Sequence, residues 1–153
     1  MKFYLETSIF NRYFDVDPIL HPATVQLFKE IAAGKFEPYT SVFVTDELEA
    51  APKDKSEKML NLIPKYKIKV LPKDPNAVLI ANLSIDNKII PERYRMDAMH
   101  IALSTVNGLD KIISLNFKHI VKDKTRTFTA YISTIYGYSV IDIKSPMEVI
   151  DND

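Results

Sequence analysis

The chain contains no cysteine. A disulfide framework and a thiolate-held metal are thereby excluded. Glycine is scarce, with 3 residues against 9 prolines, so proline does most of the punctuation. There is no Gly-rich phosphate loop, which leaves nucleotide-cofactor and P-loop readings without support. No HExxH run occurs, and no Ser-His-Asp order stands out. Net charge is missing too, because Lys+Arg 20 cancels Asp+Glu 20. A nucleic-acid partner therefore cannot be argued from overall charge and needs a local basic patch. No apolar stretch approaches the roughly 18 residues of a membrane span. The start, Met1 to Glu6, reaches an acid too soon for a signal-peptide core, so no membrane is expected and cytoplasm is the default.

What is present suits one domain spanning 1–153, with 46% apolar residues to build a core. No linker, repeat or low-complexity tract interrupts it. Phe3 to Leu5 read as a buried strand, and Thr7 to Phe14 as a short helix. His21-Pro22 opens a helix from about Ala23 to Ala33, closed by Gly34. Glu37 to Thr40 is a short extended piece. Ser41 caps a helix to about Ala51, stopped by Pro52. Lys55 to Ile63 is helical up to Pro64. Tyr66 to Leu71 alternates at period 2 and reads as an edge-like strand. Asp74-Pro75 starts a helix to Asn87. Pro91 to Met96 is a loop, and Asp97 to Val106 a helix apolar nearly all round, hence deeply buried. Lys111 to Leu115 is a core strand, Thr127 to Tyr136 a helix, and Ser139 to Ile143 a final strand. Helices alternating with short apolar strands indicate an α/β fold, with a mainly parallel sheet covered on both faces.

Four side chains stand where such a fold gathers functional groups. Glu6 ends the first strand and Asn116 the strand from Lys111. Glu47 and Asp97 each lie near the start of an apolar helical stretch. Three carboxylates sharing a crevice repel one another unless a cation or a proton intervenes. Glu6, Glu47, Asp97 and Asn116 are therefore a candidate divalent-metal site. His100 shares a helix face with Asp97. No other histidine matches it at ligand spacing, so it reads as a packed or hydrogen-bonded residue. Lys118, His119, Lys122, Lys124 and Arg126 form a basic stretch after Asn116. It reads either as a solvated loop or as a holder of an RNA backbone, with Arg12, Arg93 and Arg95 flanking the same mouth.

The stretch Phe3-Tyr4-Leu5-Glu6-Thr7-Ser8-Ile9-Phe10-Asn11-Arg12 resembles the opening of a PIN domain. So do Ser41 to Leu48, with its Glu47-Leu48 pair, Asp97 to Leu103, Ser114 to Ile120, and the ending Ser145 to Ile150. The motifs come in order over almost the whole chain, and they most resemble the VapC-type PIN toxins of toxin–antitoxin pairs. The resemblance implies a compact three-layer α/β/α domain and a ribonuclease dependent on Mg²⁺ or Mn²⁺. It implies that Glu6, Asp97 and Glu47 hold the metal, Glu47 alternatively binding the attacking water. Ser8 and Ser114 would tie the carboxylates down, Ser8 serving equally as a helix cap. Arg12, Lys118, Lys122 and Lys124 would hold RNA. An antitoxin partner is implied, and a homodimer with Phe10, Phe14, Leu27 and Phe28 as candidate contacts, unless those residues form the core. Two departures stand out. Glu6 replaces the family's usual Asp, and the neutral Asn116 replaces a fourth acid. The site carries three negative charges rather than four, so a non-catalytic PIN module that binds RNA or a protein is the alternative reading.

Overall fold

The computed structural model describes residues 1–151; Asn152 and Asp153, the end of the expected 1–153 span, lie outside it. Five strands form one sheet: β1 (Lys2–Leu5), β2 (Glu37–Ser41), β3 (Lys69–Leu71), β4 (Lys111–Ile113) and β5 (Asp142–Lys144). All pairings are parallel, in the order β3-β2-β1-β4-β5. The helices are α1 (Thr7–Phe14), α2 (Leu20–Ala32), α3 (Val42–Glu49), α4 (Lys53–Lys65), α5 (Pro75–Asp86), α6 (Arg95–Val106), α7 (Asp123–Tyr136) and the short α8 (Pro146–Val149).

Handedness distributes these helices. The chain steps from β1 to β2 to β3 in one direction, then crosses back to β4 and on to β5 in the other. Right-handed crossovers then put α1 to α4 on one face and α5 to α7 on the opposite face. The packing agrees: α1 meets α2, α3 and α4, whereas α5 meets α6 and α7. This is the three-layer α/β/α, PIN-like arrangement expected from the sequence. The direction of winding reverses between β1 and β4. Outside their carboxyl ends lies the crevice where open parallel sheets place ligands.

β1 is fully interior from Phe3 to Leu5. Its neighbours β2 and β4 supply Tyr39, Ile112 and Ile113 to the same core. The expected contact residues Phe10, Leu27 and Phe28 are fully buried here, so they are core and not a dimer surface; Phe14 alone keeps an exposed ring. Helix α6 is buried along the unbroken run Ala98 to Thr105. Its hydroxyls satisfy themselves locally, Ser104 Oγ donating to His100 O at 2.8 Å and Thr105 Oγ1 to Ile101 O at 3.0 Å.

Several boundaries differ from the sequence reading for definable reasons. α2 begins at Leu20, because Asp17 Oδ1 accepts from the Ile19 and Leu20 amides and caps it early. Pro64 does not stop α4 but sits in its last turn. β3 begins only at Lys69, because Tyr66 is still the C-cap of α4 and Lys67 turns left-handed at φ 54°. The expected loop from Pro91 to Met96 holds a 3₁₀ turn at Glu92–Tyr94 and the start of α6, so Asp97 lies inside the helix's first turn. β4 ends at Ile113, and Ser114 and Leu115 bend away to other partners. α7 begins a turn early at Asp123, which places Lys124 and Arg126 on a helix. The last strand is shifted to Asp142–Lys144.

Candidate metal and nucleic-acid site

Glu6 leaves the end of β1 as the N-cap of α1, and it is buried. A buried carboxylate needs several hydrogen bonds. Ser8 Oγ and Ser114 Oγ both donate to Glu6 Oε1 at 2.6 Å, and the Ser8 amide donates to Oε2 at 3.2 Å. The two hydroxyls are anchored in turn. Ser8 Oγ accepts from the Leu115 amide at 2.8 Å, and Ser114 Oγ from the Asn116 amide at 2.9 Å. Ser8 thus holds the carboxylate and is not the helix cap; the cap is Glu6, whose Oε2 takes the Ser8 amide. The knot ties the end of β1 to the segment after β4, across the point where the winding reverses.

Glu47 projects from α3 and keeps part of its side chain in solvent, while His100 lies buried in α6. His100 Nε2 donates to Glu47 Oε1 at 2.8 Å. Its other nitrogen, Nδ1, lies 2.7 Å from Tyr4 Oη, which lies 2.6 Å from Ser41 Oγ. Because the carboxylate fixes Nε2 as the donor, Nδ1 of the neutral ring accepts the phenol proton and Ser41 donates to Tyr4. Burial alone would lower the His100 pKa. The Glu47 hydrogen bond and the charges of Glu6, Glu47 and Asp97 outweigh it, and the pKa is raised. Burial, only partly offset by Ser41, pushes the Tyr4 phenol well above its ordinary range. His100 is the packed, hydrogen-bonded histidine expected. Tyr4 and Ser41 were not singled out from the sequence. A tyrosine in the middle of a buried strand carried the signal, since its hydroxyl must find a partner inside. Ser41 directs its hydroxyl there, so it does not cap α3.

Asp97 is half-buried in the first turn of α6. Burial first, then the Glu6 charge, raises its pKa from 3.8 to about 6; Glu47 adds to this, and the Asn116 amide and His100 oppose it. Asn116 Oδ1 accepts from the His119 amide at 3.0 Å, closing the turn after β4. That oxygen is committed to the turn, and the amide nitrogen is the group directed at Asp97.

The four residues picked from the sequence therefore meet at one sheet edge. Among the described residues, no three His, Asp or Glu side chains are drawn together as a ready-made cage. The donor set is nonetheless oxygen-rich, with mutually repelling carboxylates and a histidine whose nitrogens are both engaged. Such a set fits a hard divalent cation that keeps several waters and takes one or two carboxylates.

The expected basic residues divide. Lys118 places Nζ 5.6 Å from the Tyr94 ring centre, and Lys122 Nζ donates to Lys118 O at 3.0 Å. Lys124 instead turns to Lys88 O at 3.1 Å, beyond the end of α5. Arg126 is consumed by Ile143 O, Asp123 and Glu148. Arg12 lies along α1 beside Asp17, whose pKa is lowered chiefly by the Leu20 and Ile19 amides and to a lesser degree by Arg12.

No protein-family model matches the chain, and no curated protein does. Solved structures do. VapBC2 from Rickettsia felis, bound to a DNA fragment from their promoter, aligns with TM-score 0.58 at 12% identity, covering 95% of this chain and 98% of that one. VapBC-5 from Mycobacterium tuberculosis, a member of the VapBC family of toxin-antitoxin systems, aligns with TM-score 0.50 at 18% identity, covering 94% and 98%. At these identities the likeness is one of fold.

Proposed function

We propose that the protein is a metal-dependent endoribonuclease, the toxin of a type II toxin–antitoxin pair. One observation carries the reading: three carboxylates converge on the winding-reversal crevice of a fold shared with VapBC structures, with mutual repulsion registered at Asp97. Asp97 and Glu6 would hold Mg²⁺ or Mn²⁺, with Glu47 beside them. The cation's contribution when bound is to acidify a water and neutralise charge on a phosphate. Ser8 and Ser114 keep Glu6 in one rotamer. His100 occupies Glu47 Oε1 and leaves Oε2 to orient a water or take its proton.

An antitoxin is the expected protein partner. A groove of about 450 Å³ beside the crevice, lined by Phe43, Val78, Met96 and Met99 with Lys73 and Arg95 at its rim, suits an apolar segment of such a partner. A homodimer is expected as well. Among the described residues no helix is long and apolar enough to cross a membrane.

The test is cleavage of a structured RNA by purified protein in Mn²⁺, with and without EDTA. Asp97→Asn should lower the rate by orders of magnitude. Cleavage that survives EDTA or Asp97→Asn would assign the activity to a contaminating nuclease. The second reading, a non-catalytic module, is favoured by Asn116, which is neutral and whose carbonyl oxygen is committed to its own turn. Tight RNA binding without cutting would support it.

A further inference from the structure

Next to the acidic crevice lies a group of cations with no anionic partner. The Tyr94 ring carries the Arg93 guanidinium 4.9 Å from its centre and the Lys118 ammonium at 5.6 Å. The His119 ring lies against the same tyrosine, 4.3 Å between centres and tilted by 34°. Lys122 reaches back to the Lys118 carbonyl. Burial, then the charges of Lys118, Lys122 and Arg93, lowers the His119 pKa, as a cluster of neighbouring cations would. His119 Nε2 is buried without a hydrogen-bond partner.

These contacts contrast with the other basic residues nearby. Arg95 is held by Glu92 and Asn82, and Arg126 by Asp123 and Glu148. Among the described residues, Arg93, Lys118 and Lys122 form no ion pair. Three like charges gathered by one aromatic ring and a backbone carbonyl repel one another. In a chain of zero net charge, with many carboxylates to spare, that arrangement calls for an external anion. The group is also continuous with the crevice. Asn116 faces Asp97 and accepts the His119 amide, and His119 stacks on Tyr94. Phe117, next in sequence to Lys118, leaves nearly half its surface exposed and offers a face to a base.

We infer that Arg93 and Lys118, seated on the Tyr94 ring, and Lys122, tied to the Lys118 carbonyl, form a clamp for the phosphate backbone of single-stranded RNA, separate from the metal-holding carboxylates. The inference rests on the nuclease reading but assigns binding and cutting to different residues. The clamp grips RNA without metal, and the carboxylates act only on RNA already gripped. Lys124, which turns to the Lys88 carbonyl, takes no part.

The experiment is fluorescence anisotropy of a labelled single-stranded RNA oligonucleotide in EDTA over a range of salt, paired with cleavage kinetics in Mn²⁺. Arg93→Ala and Lys118→Ala should each weaken binding several-fold. Each should reduce the slope of log K against log salt by about 0.7, the value for one phosphate contact on a single strand. In cleavage they should raise KM and spare kcat, whereas Asp97→Asn should lower kcat. Tyr94→Leu should weaken binding and Tyr94→Phe should retain it, since the ring alone seats the cations. Lys124→Ala should match the parent. If the parent binds RNA and the Arg93→Ala, Lys118→Ala double variant binds it equally well, the clamp is overturned while the nuclease reading stands. If the parent neither binds nor cuts RNA, both are overturned.

Discussion

Removing a charge from the crevice should make the metal-free protein more stable. Asp97 holds its proton up to about pH 6 in the folded state, against 3.8 when unperturbed. Between those values the folded chain binds more protons than the unfolded chain, so stability falls as pH rises. Above about pH 6 the loss is complete and the curve is flat. A gap of about two units corresponds to about 3 kcal/mol at face value, which water around the half-buried side chain cuts to about 1–2 kcal/mol. Asp97→Asn cannot ionise, yet it can still accept from the Asn116 amide. In EDTA at pH 7.5 its Tm should exceed the parent's by about 2–8 °C, given about 2–4 °C per kcal/mol for a chain of this size. Near pH 4 the two should melt together. Adding Mn²⁺ should raise the parent's Tm and leave the variant's nearly unmoved. The assay is thermal melting by circular dichroism at both pH values, with EDTA and with Mn²⁺. A variant that melts at or below the parent in EDTA at both pH values would refute the argument, because no repulsion would have been relieved.

Asn116→Asp works in the opposite direction. It replaces a donor facing Asp97 with a like charge, so the metal-free Tm should fall and the Mn²⁺-induced rise should grow; the same pair of melts checks both, and no change in either places residue 116 outside the site. Tyr4→Phe strips the hydroxyl shared by Ser41 and His100, leaving buried partners short of a bond at a cost of about 1–3 kcal/mol, read as a lower urea midpoint. An unchanged midpoint would mean that the Ser41–Tyr4–His100 bonds contribute nothing. Light scattering at micromolar concentration should report a dimer; a monomer throughout would count against self-association.

The fold was legible because its strands are short and apolar and its helices carry strong punctuation. Thr7–Phe14 emerged with both boundaries, since Glu6 ends the strand before it. Asp74-Pro75 marked α5 for the same local reason, a cap followed by a proline. The misplaced boundaries turned on an acid ahead of the apolar pattern and on backbone sign: Asp17 caps α2 through amides two and three residues on, and the left-handed Lys67 delays β3. In the crevice, the acids were visible as strand-end and helix-start residues. The path from Ser41 through Tyr4 and His100 to Glu47 joins residues from four elements, and no local spacing announces it. The basic stretch read as one unit along the chain. The structure splits it, because α7 begins at Asp123 and turns Lys124 and Arg126 away from Lys118.

Helix α6 delivers Asp97 and His100 from its first two turns while its next residues run through the centre of the molecule. Tilting or sliding that helix would expose the core, so these two groups cannot be repositioned short of opening the whole domain. Amide exchange along Ala98 to Thr105 should therefore proceed only through global unfolding, at the slowest rates in the chain. Adaptability must then reside in the two segments flanking it in the crevice, residues 89–94 and 117–122, which can be exchanged while Ser114 and Asn116 keep their hold on the carboxylates. A chain built this way can acquire a new substrate preference by changing those segments while its acidic centre is inherited unaltered.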